Sequence, residues 1–447
     1  MGGDTASAVL AELDRLIPEG PAGVAVSGGG DSTALLVLSQ RWAAARGRVI
    51  EAATVDHGLR PESAAEAQAA ADLAARLGVP HRTLHTGDLR AAGGNLSAAA
   101  REARLAALGA WATGRGLPAV LLGHTLDDQA ETVLMRLARG SGAEGLSGMA
   151  SERLHAGLRW LRPLLGIRRA DLRRLLESEG IAWIEDPTNE APEYDRVKTR
   201  KALALLAPLG IEAEGLARTA WHLRRQRRVL ERAMRQLADR ARSWGPLGEA
   251  RLDSPAMRAD EPDTALRLLA DTLMQVSGAA YRPRFRALSA LLDQVLSGDD
   301  FTATLGGCLI ASAPQGAVLI CREPAACQPP VPLAEAGASG WDNRWRLDAR
   351  GPWPRGAVAG ALGETGLNRL GRLAAEGGPQ LPEDWRNAPR HVRQTAPAVW
   401  SGAPADARVL LAVPAADYLN RQEIDSVCTI HAEKLTDGVL RCNQRPT

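Results

Sequence analysis

A glycine-rich segment close to the amino terminus has the residue types of an anion-binding loop. It reads Ser27-Gly28-Gly29-Gly30-Asp31-Ser32 and follows an apolar run at 22–26. Consecutive glycines let backbone amides crowd around an anion, and a helix beginning near Ser32 would add its free N–H groups. Asp31 could hold Mg²⁺ against phosphates. A plain tight turn is the alternative that this segment alone leaves open.

The loop differs from two common nucleotide-binding loops. It has no lysine, whereas the kinase-type P-loop requires Gly-x4-Gly-Lys-Ser/Thr. It also lacks the Gly-x-Gly-x-x-Gly spacing of dinucleotide-binding proteins. The sequence therefore indicates a phosphate-binding loop without the lysine that would contact a γ-phosphate during its transfer.

Three acids cluster at the start of a predicted helix over 126–138. Apolar residues recur there at i, i+3, i+4 and i+7, which is typical of one buried helix face. Asp127, Asp128 and Glu131 fall together roughly 115° away from that face, at about 100° per residue. Capping of the helix dipole is one interpretation. The other is a carboxylate cluster that binds Mg²⁺ or an ammonium group, or removes a proton from that ammonium group.

Two arginines and two histidines are further candidates. Arg101 and Arg104 are three residues apart on a predicted helix, so they share a face that is either solvated or clamps phosphates. His57 and His124 each follow the end of a predicted strand. They are either hydrogen-bonded structural residues or contacts for a nucleotide or substrate.

Alternating strands and helices would position these residues. Apolar runs predict strands, and periodic runs predict helices between them. The predicted strands are 22–26, 49–55, 79–84 and 118–122, and the predicted helices are 33–42, 62–77, 97–113 and 126–138. This order predicts an α/β fold with a Rossmann-like parallel sheet, and ligands bind beyond the carboxyl ends of such strands. The segments 27–32, 56–60 and 123–129 are therefore expected to meet in one crevice.

Length and composition predict a globular, multi-domain chain. Its 447 residues correspond to about three domains, and 45% hydrophobic with 24% charged residues is ordinary globular usage. No apolar run is long enough to span a bilayer, so we expect no membrane contact. Five dispersed cysteines without CxxC spacing argue against a disulfide framework and against a zinc site, and they favour a location in the cytosol.

The remaining sequence predicts two further domains after the α/β domain, which we place at 1–214. Helical stretches at 216–244 and 264–296 and a hairpin at 303–322 predict a helical substrate-binding domain over 215–325. A Pro-, Ala- and Gly-rich linker then leads into a small α+β domain within 326–447.

The charge is unevenly distributed. The formal net charge is only +2, and just three of the 54 basic residues are lysines, a bias that a GC-rich genome would explain. The stretch 216–244, however, carries nine arginines and two acids. Such a helix is either a solvated face or a surface for RNA phosphates.

Several motifs, taken in order, resemble the tRNA(Ile)-lysidine synthetase family, a branch of the N-type ATP pyrophosphatases. The glycine-rich loop has the Ser-Gly-Gly-x-Asp-Ser form of their pyrophosphate loop. The resemblance is firm over 24–200 and weaker over 281–323 and 389–418. The other firm motifs are Val55-Asp56-His57-Gly58-Leu59-Arg60, Gly123-His124-Thr125-Leu126-Asp127-Asp128-Gln129-Ala130-Glu131-Thr132, Arg139-Gly140-Ser141-Gly142, Gly145-Leu146-Ser147-Gly148-Met149, Arg162-Pro163-Leu164-Leu165 and Trp183-Ile184-Glu185-Asp186-Pro187-Thr188-Asn189.

The resemblance implies a reaction and its participants. ATP, with Mg²⁺, would activate C2 of the wobble cytidine in the CAU anticodon of tRNA(Ile), and free L-lysine would displace AMP from it. The domains expected at 215–325 and 326–447 would bind the tRNA. A homodimer is one alternative for the assembly.

The resemblance also implies roles for individual residues, which fall into four groups. The expected catalytic residues are Asp31, Asp128, Glu131, Arg101 and Arg104, and the expected metal ligand is Asp31. The expected ATP-binding residues are Ser27, Gly28, Gly29, Gly30, Asp31, Ser32, Asp56, His57 and His124. The expected substrate-binding residues are Asp127, Asp186, Asn189, Arg196 and Arg200.

Two positions depart from the family pattern, and two other functions are considered. Val197 stands where many members have Asn, and Thr125 replaces a second His of some relatives.

A PP-loop enzyme that amidates a small molecule would need an ammonia source, which the sequence does not show. A non-catalytic RNA-binding protein would have no use for the intact loop and Glu131. The first cysteine is Cys308, which argues against tRNA thiolases, because these need a cysteine near the loop.

Overall fold

The computed structural model describes most of the chain, in two compact units. The units comprise residues 1–228 and 229–447. Asp186 and Asn189 lie outside the described residues. The described ranges are 2–17, 19–58, 63–86, 96–155, 157–185, 195–279, 281–333, 339–349, 356–375, 383–401, 410–412 and 430–434.

The first unit contains a six-stranded sheet in the order β3-β2-β1-β4-β6-β5. Its strands are β1 Ala22–Ala25, β2 Ile50–Asp56, β3 His81–His85, β4 Ala119–Leu121, β5 Glu152–His155 and β6 Leu158–Leu161. All neighbouring strands pair in parallel except β5, which runs antiparallel to β6 at one edge. The predicted α/β fold class is confirmed, although the sequence does not predict the β5–β6 pair.

Helices connect these strands. They are α1 Gly2–Leu16, α2 Gly30–Arg46, α3 Ser63–Arg76, α4 Leu96–Gly114, α5 Leu126–Ala138, α6 Ala143–Leu146, α7 Arg169–Ser178, α8 Asp195–Leu206 and α9 Ala213–Ala241. The predicted helices correspond to α2, α3, α4 and α5. The helices α1 and α7 are additional to the sequence prediction, and α7 proves important for the site.

Both faces of the sheet are covered, as its apolar strands require. On one face, Val24 belongs to a core cluster with Leu35 of α2 and Leu172 of α7. On the other face, Trp111 of α4 packs so closely on β1 that a Cβ at Gly23 would lie 2.7 Å from its ring. The carboxyl ends of β1, β2 and β4 are therefore held at one edge by a packed core.

The long helix α9 begins and ends slightly earlier than the predicted stretch. Residues 242–244 are not helical but form strand β7, which pairs with β8. The division between the two units falls within α9, between Arg228 and Val229.

The second unit combines three antiparallel sheets with six helices among its described residues. Their strand orders are β7-β8-β11-β10-β9, β12-β15-β16-β17 and β13-β14-β18. The strands are β7 Arg242–Trp244, β8 Ala250–Asp253, β9 Thr302–Leu305, β10 Cys308–Ala313, β11 Ala317–Arg322, β12 Val331–Pro332, β13 Ser339–Trp341, β14 Trp345–Ala349, β15 Ala357–Ala361, β16 Pro397–Ser401, β17 Leu410–Ala412 and β18 Ile430–Lys434. The helices are α10 Ser254–Arg258, α11 Pro262–Ser277, α12 Phe285–Ser297, α13 Gly363–Ala375, α14 Glu383–Asn387 and α15 Arg390–Gln394.

Two sequence predictions for this unit need correction. The single helix expected over 264–296 is two helices, α11 and α12, because Gly278 ends the first in a left-handed conformation and a proline-containing segment follows. The hairpin at 303–322 is β10–β11, with a third strand, β9, paired to β10. The predicted boundaries 1–214, 215–325 and 326–447 stay a prediction. No helix in the described part of the chain is long and apolar enough to cross a membrane.

Candidate active site

The glycine-rich loop is held in shape by its own serines. The Ser27 amide donates a hydrogen bond to Ser32 Oγ over 3.0 Å, and that hydroxyl donates to the Gly29 carbonyl over 3.0 Å. The Thr33 hydroxyl donates to the Gly28 carbonyl over 3.2 Å. These bonds turn the loop back onto the start of α2. The hydroxyls of Ser32 and Thr33 therefore shape the loop before any anion binds.

Glycine is required at Gly28 by both conformation and space. Its φ is +84°, which L side chains rarely adopt, and a Cβ there would lie 2.7 Å from Ile184 Cδ1. The Ile184 amide also donates to the Gly28 carbonyl over 2.9 Å. Gly29 is the N-cap of α2 and has no side chain to cap it. The amides of the first turn of α2 are thus presented in the arrangement that binds anions.

The end of β4 packs directly against this helix start. A Cβ at Gly123 would lie 3.1 Å from the Cα of Ser32. The close approach brings His124 and the start of α5 beside the loop. The predicted convergence of 27–32 with 123–129 is therefore found in the structure.

Arg169, at the start of α7, joins the acids of the loop and of α5. Its Nε lies 2.9 Å from Asp31 Oδ2, its Nη2 lies 3.0 Å from Asp128 Oδ1, and its Nη1 lies 3.7 Å from Glu131 Oε1. Glu131 Oε1 also accepts a hydrogen bond from Arg200 Nε over 3.0 Å. Three predicted catalytic carboxylates thus form one cluster around a guanidinium group.

Two of the acids at the start of α5 also have capping roles. Asp128 Oδ2 accepts hydrogen bonds from the Thr125 amide at 2.8 Å and from its hydroxyl at 3.0 Å, which forms a capping box. Asp127 Oδ2 accepts from the Arg169 amide over 2.7 Å at the start of α7. The capping interpretation therefore applies to Asp127 and Asp128, whereas the carboxylate of Glu131 contacts the side chains of two arginines.

The environment separates the pKa values of the three clustered acids. Burial raises the pKa of Asp31, although Arg169 opposes this shift. Burial and the neighbouring Asp128 charge raise the pKa of Glu131, whose side chain is only 2% exposed. Burial opposes ionisation of Asp128 too, but Arg169 and the Thr125 amide outweigh it and lower its pKa. Asp128 is therefore the carboxylate best held in its charged form, and Glu131 is better suited to accept a proton.

Two carboxylate oxygens of this cluster have no hydrogen-bond partner in the described structure. They are Asp31 Oδ1 and Glu131 Oε2, and both are buried. Buried charged oxygens normally have partners, so an unpaired pair at one site indicates room for a ligand that is cationic or donates protons.

The predicted histidines lie at the expected strand ends and are held neutral. Burial lowers the pKa of His124 to about 4. His57 Nδ1 lies 3.1 Å from the Thr86 hydroxyl, and burial lowers its pKa. Asp56 Oδ1 accepts from the Gly58 amide over 2.8 Å, which lowers the Asp56 pKa. Neutral imidazoles at this edge can donate or accept hydrogen bonds without adding charge.

Four arginines supply positive charge near the two histidines, Arg101, Arg162 and Arg196 near His124 and Arg104 near His57. Arg101 and Arg104 come from α4, Arg196 from α8, and Arg162 follows β6. The surrounding protein partly desolvates the guanidinium group of Arg104, and the like charges of Arg101 and Arg196 add to this effect, so that its pKa is lowered. Burial and neighbouring arginines lower the pKa of Arg162 to about 10. This mutual repulsion is what an anionic ligand would relieve.

Sequence reasoning missed Arg169. The firm motif at 162–165 ends four residues before it, and the pair Arg168-Arg169 precedes a leucine-periodic helix that is absent from the sequence prediction. A basic pair at the start of a helix inside the catalytic region was the available signal. The direction of its side chain depends on contacts with distant residues and is not encoded locally.

Comparison with known proteins identifies the family. A PP-loop domain matches residues 7–206. A tRNA(Ile)-lysidine synthase from Ruegeria pomeroyi is 42% identical over 407 residues, which cover 89% of this chain and 89% of that protein. The chain belongs to the tRNA(Ile)-lysidine synthase family. The family member from Hyphomonas neptunium is 41% identical over 67% of this chain and 80% of its own length, and that from Anaplasma marginale is 34% identical over 76% and 74%.

Family membership agrees with the geometry of the first unit. The tRNA(Ile)-lysidine synthases are ATP-dependent ligases of the PP-loop class. The matched domain, 7–206, contains the glycine-rich loop, the acid cluster and Arg169. The resemblance predicted from the motifs is thereby confirmed, and so are the use of ATP and the ligase class.

Proposed function

We propose that the protein joins free L-lysine to C2 of the wobble cytidine, position 34, in the CAU anticodon of tRNA(Ile). Cytidine O2 attacks the α-phosphorus of ATP and pyrophosphate leaves. The side-chain amine of lysine then attacks C2, and the C2–O bond breaks to release AMP. The observation that carries this proposal is the shared position of Asp31, which belongs both to the phosphate loop and to the acid cluster. Since tRNA, ATP and free lysine meet in the cytosol, we expect the reaction there.

The loop and the nearby arginines suit a pyrophosphate leaving group. The first turn of α2 offers backbone amides to the phosphates. The loop has no lysine that would contact a γ-phosphate during its transfer. Arg101, Arg104 and Arg196 add charge whose effect strengthens as negative charge develops on the departing group. Together these groups bind ATP and favour its cleavage between the α and β phosphates.

The residues fit a magnesium ion that is shared with phosphates. Mg²⁺ is usually held by one or two carboxylates together with substrate phosphates and water. Asp31 offers a buried oxygen without a protein partner, beside the loop. No group of three or more acids, histidines or cysteines among the described residues is arranged to hold a metal unaided. Asp31 would hold the ion, which would supply charge neutralisation at the phosphates.

An open cavity of about 360 Å³ beside Glu131 suits the lysine substrate. Carboxylates of Asp127 and Glu131 lie at its wall, where an ammonium group would bind. Arg168 and Arg200 offer partners for a carboxylate. The cavity is completed by Leu203, Ala204, Ala207 and Ala213, which suit a methylene chain, and by Glu212 and Arg169.

Glu131 is the best placed proton acceptor for the lysine amine. An ammonium group has no lone pair and must lose a proton before it attacks carbon. Glu131 lines the lysine cavity, has one oxygen without a partner, and has a raised pKa. A carboxylate whose pKa is shifted toward neutrality is a more effective base.

The exposed arginines of α9 provide a surface for RNA. Arg225 and Arg228 are exposed, and the Arg225 guanidinium lies 4.8 Å from the ring centre of Trp221, which is 50% exposed. Arg224 differs, because it turns inward to donate hydrogen bonds to the Ser147 and Met149 carbonyls. We therefore keep the RNA-contact prediction for the exposed arginines of α9, which include Arg225 and Arg228, and not for Arg224.

Transfer of labelled lysine tests the proposal. We expect label to enter a tRNA(Ile) transcript with a CAU anticodon when ATP and Mg²⁺ are present, with one AMP released per lysine. The same transcript with a GAU anticodon, which lacks the wobble cytidine, should remain unlabelled. Absence of label from the CAU transcript, with a folded protein that binds it, would contradict the proposal. AMP formed with ammonia in place of lysine would favour the small-molecule amidation alternative.

Filling the proposed lysine cavity provides a second test. Ala204→Phe should raise the KM for lysine at least tenfold and leave the Kd for tRNA unchanged, because the added ring would occupy the space for the methylene chain. Leu205→Phe is the matched control, since Leu205 is the next residue of α8 and is 79% exposed. Equal effects of both substitutions would show that the cavity is not the lysine site.

A further inference from the structure

A short segment of the second unit exposes aromatic rings between arginines. We name residues 281–286, Tyr-Arg-Pro-Arg-Phe-Arg, the arginine–aromatic segment. Tyr281 is 83% exposed and Phe285 is 73% exposed, more than any other aromatic side chain that the structure describes. Aromatic residues make up only 4% of the chain. Two highly exposed rings within five residues are therefore unusual for a chain with so few aromatic residues.

The fold of the second unit does not require this exposure. On α12, the buried residues Leu288, Leu292 and Val295 form one core-facing stripe, and Phe285 continues its spacing beyond the edge of the core. The chain's other phenylalanine, Phe301, packs against that core. Burial of an aromatic side chain favours folding, so a ring left in solvent is better explained by a binding partner.

The arginine–aromatic segment is anchored and strongly basic. Pro283 lies against Gly306, with 3.4 Å between its Cγ and the position of a Cβ there. Arg282, Arg284 and Arg286 are all exposed. No acid occurs in the sequence between 278 and 292. The segment thus presents two flat rings and three guanidinium groups to solvent.

We propose that the arginine–aromatic segment binds unpaired nucleotides of the tRNA substrate. The identity of this RNA rests on the proposed function. Bases stack on aromatic rings irrespective of sequence, while arginines contact the adjoining phosphates. The charge complementarity selects a polyanion, and the exposed rings select one with unstacked bases. The contact is a binding site of the second unit, additional to the residues that contact ATP and lysine in the first.

Substitution of both rings tests the proposal through affinity. Tyr281→Ala with Phe285→Ala should raise the Kd for the tRNA transcript about tenfold, because removal of each ring weakens binding by a few-fold or more. Tyr281→Phe with Phe285→Tyr is the matched control, since it keeps both rings and should bind as the wild type does. Turnover at saturating tRNA should be equal for all three proteins.

Substitution of charge provides an independent readout. Arg284→Gln with Arg286→Gln should reduce the slope of log K against log salt by about 1.4, since each phosphate neutralised on a single strand contributes about 0.7 through the release of counterions. Unchanged affinity of the alanine pair, with an unchanged salt slope of the glutamine pair, would overturn the proposal. A fall in molecular mass on light scattering for the alanine pair without any change in tRNA affinity would also overturn it, in favour of self-association.

The outcomes separate this contact from the proposed reaction. Lysine transfer by the wild type together with unchanged tRNA affinity of the alanine pair would refute the contact alone. Ring-dependent binding of the transcript by a wild type that transfers no lysine would refute the reaction and support the contact.

Discussion

The arginines of the active site and those of α9 carry the same charge in opposite settings. Arg169 is 20% exposed and contacts three carboxylates. Arg225 and Arg228 are exposed on a helix that has few acids. The buried arginine has its charge compensated within the protein, whereas the exposed ones present their charge to solvent, where a polyanion could bind. Side-chain type alone therefore does not predict function in so arginine-rich a chain.

Substitution of Asp31, in the buried charge cluster around Arg169, should lower the activity more than any other change predicted below. Asp31→Ala should lower lysine transfer and pyrophosphate release by about 1,000-fold or more, because both the phosphate loop and the acid cluster lose a charge. Affinity for tRNA should be unchanged, since the α9 arginines remain. Asp72→Ala, an exposed acid of α3, is the control. Equal loss of tRNA binding and activity would instead indicate a structural role for Asp31.

Replacement of Arg169 tests whether its charge organises the acids. Arg169→Met should lower kcat about 100-fold. It should also shift the acid limb of the pH–rate profile to higher pH, since loss of a neighbouring cation raises the pKa values of Asp31 and Glu131. Arg169→Lys should restore part of the shift.

The control for Arg169 is another arginine of α7. Arg174 pairs with Asp171 on the exposed side of the same helix, so Arg174→Met should leave the profile unchanged. An acid limb at the wild-type position in Arg169→Met would contradict the assigned role.

The α9 arginines should act on binding and not on turnover. Arg225→Gln with Arg228→Gln should weaken tRNA binding about tenfold in low salt and reduce the salt slope by nearly 2. Arg41→Gln with Arg46→Gln is the matched control, because these surface arginines already pair with Glu179 and Asp14. Identical slopes for both pairs would show that α9 is only solvated.

The smallest effect concerns His124 and stability. The folded protein binds a proton at His124 only near pH 4, because burial lowers its pKa, whereas an unfolded histidine does so near pH 6.5. Stability is therefore lost as the pH falls through that window, by about 1 kcal/mol between pH 7 and 5.5. His124→Gln should remove this component of the unfolding free energy, as measured by urea denaturation. His155→Gln, at an exposed position, should not.

Local sequence signals predicted strands β1 to β4, the loop and the acids of α5. Glycine spacing and hydrophobic periodicity are properties of neighbouring residues, so they could be interpreted without coordinates. The contacts of Arg169 could not, because its partner Asp31 lies 138 residues earlier in the chain. The inward turn of Arg224 depends likewise on carbonyl groups about 75 residues away. Only the tertiary structure shows that these two arginines turn inward, unlike the neighbouring arginines in the sequence.

The contact between Gly28 and Ile184 links two parts of the active site. The Ile184 amide bonds to the loop carbonyl, and its side chain occupies the space beside the Gly28 α-carbon. The chain runs directly from this point into 186–189, where substrate contacts are predicted. Any shift of the loop on phosphate binding must therefore displace Ile184 or strain this bond. We therefore expect nucleotide binding at the loop and substrate binding after Ile184 to be coupled through this contact, in which case each ligand changes the affinity for the other by the same factor.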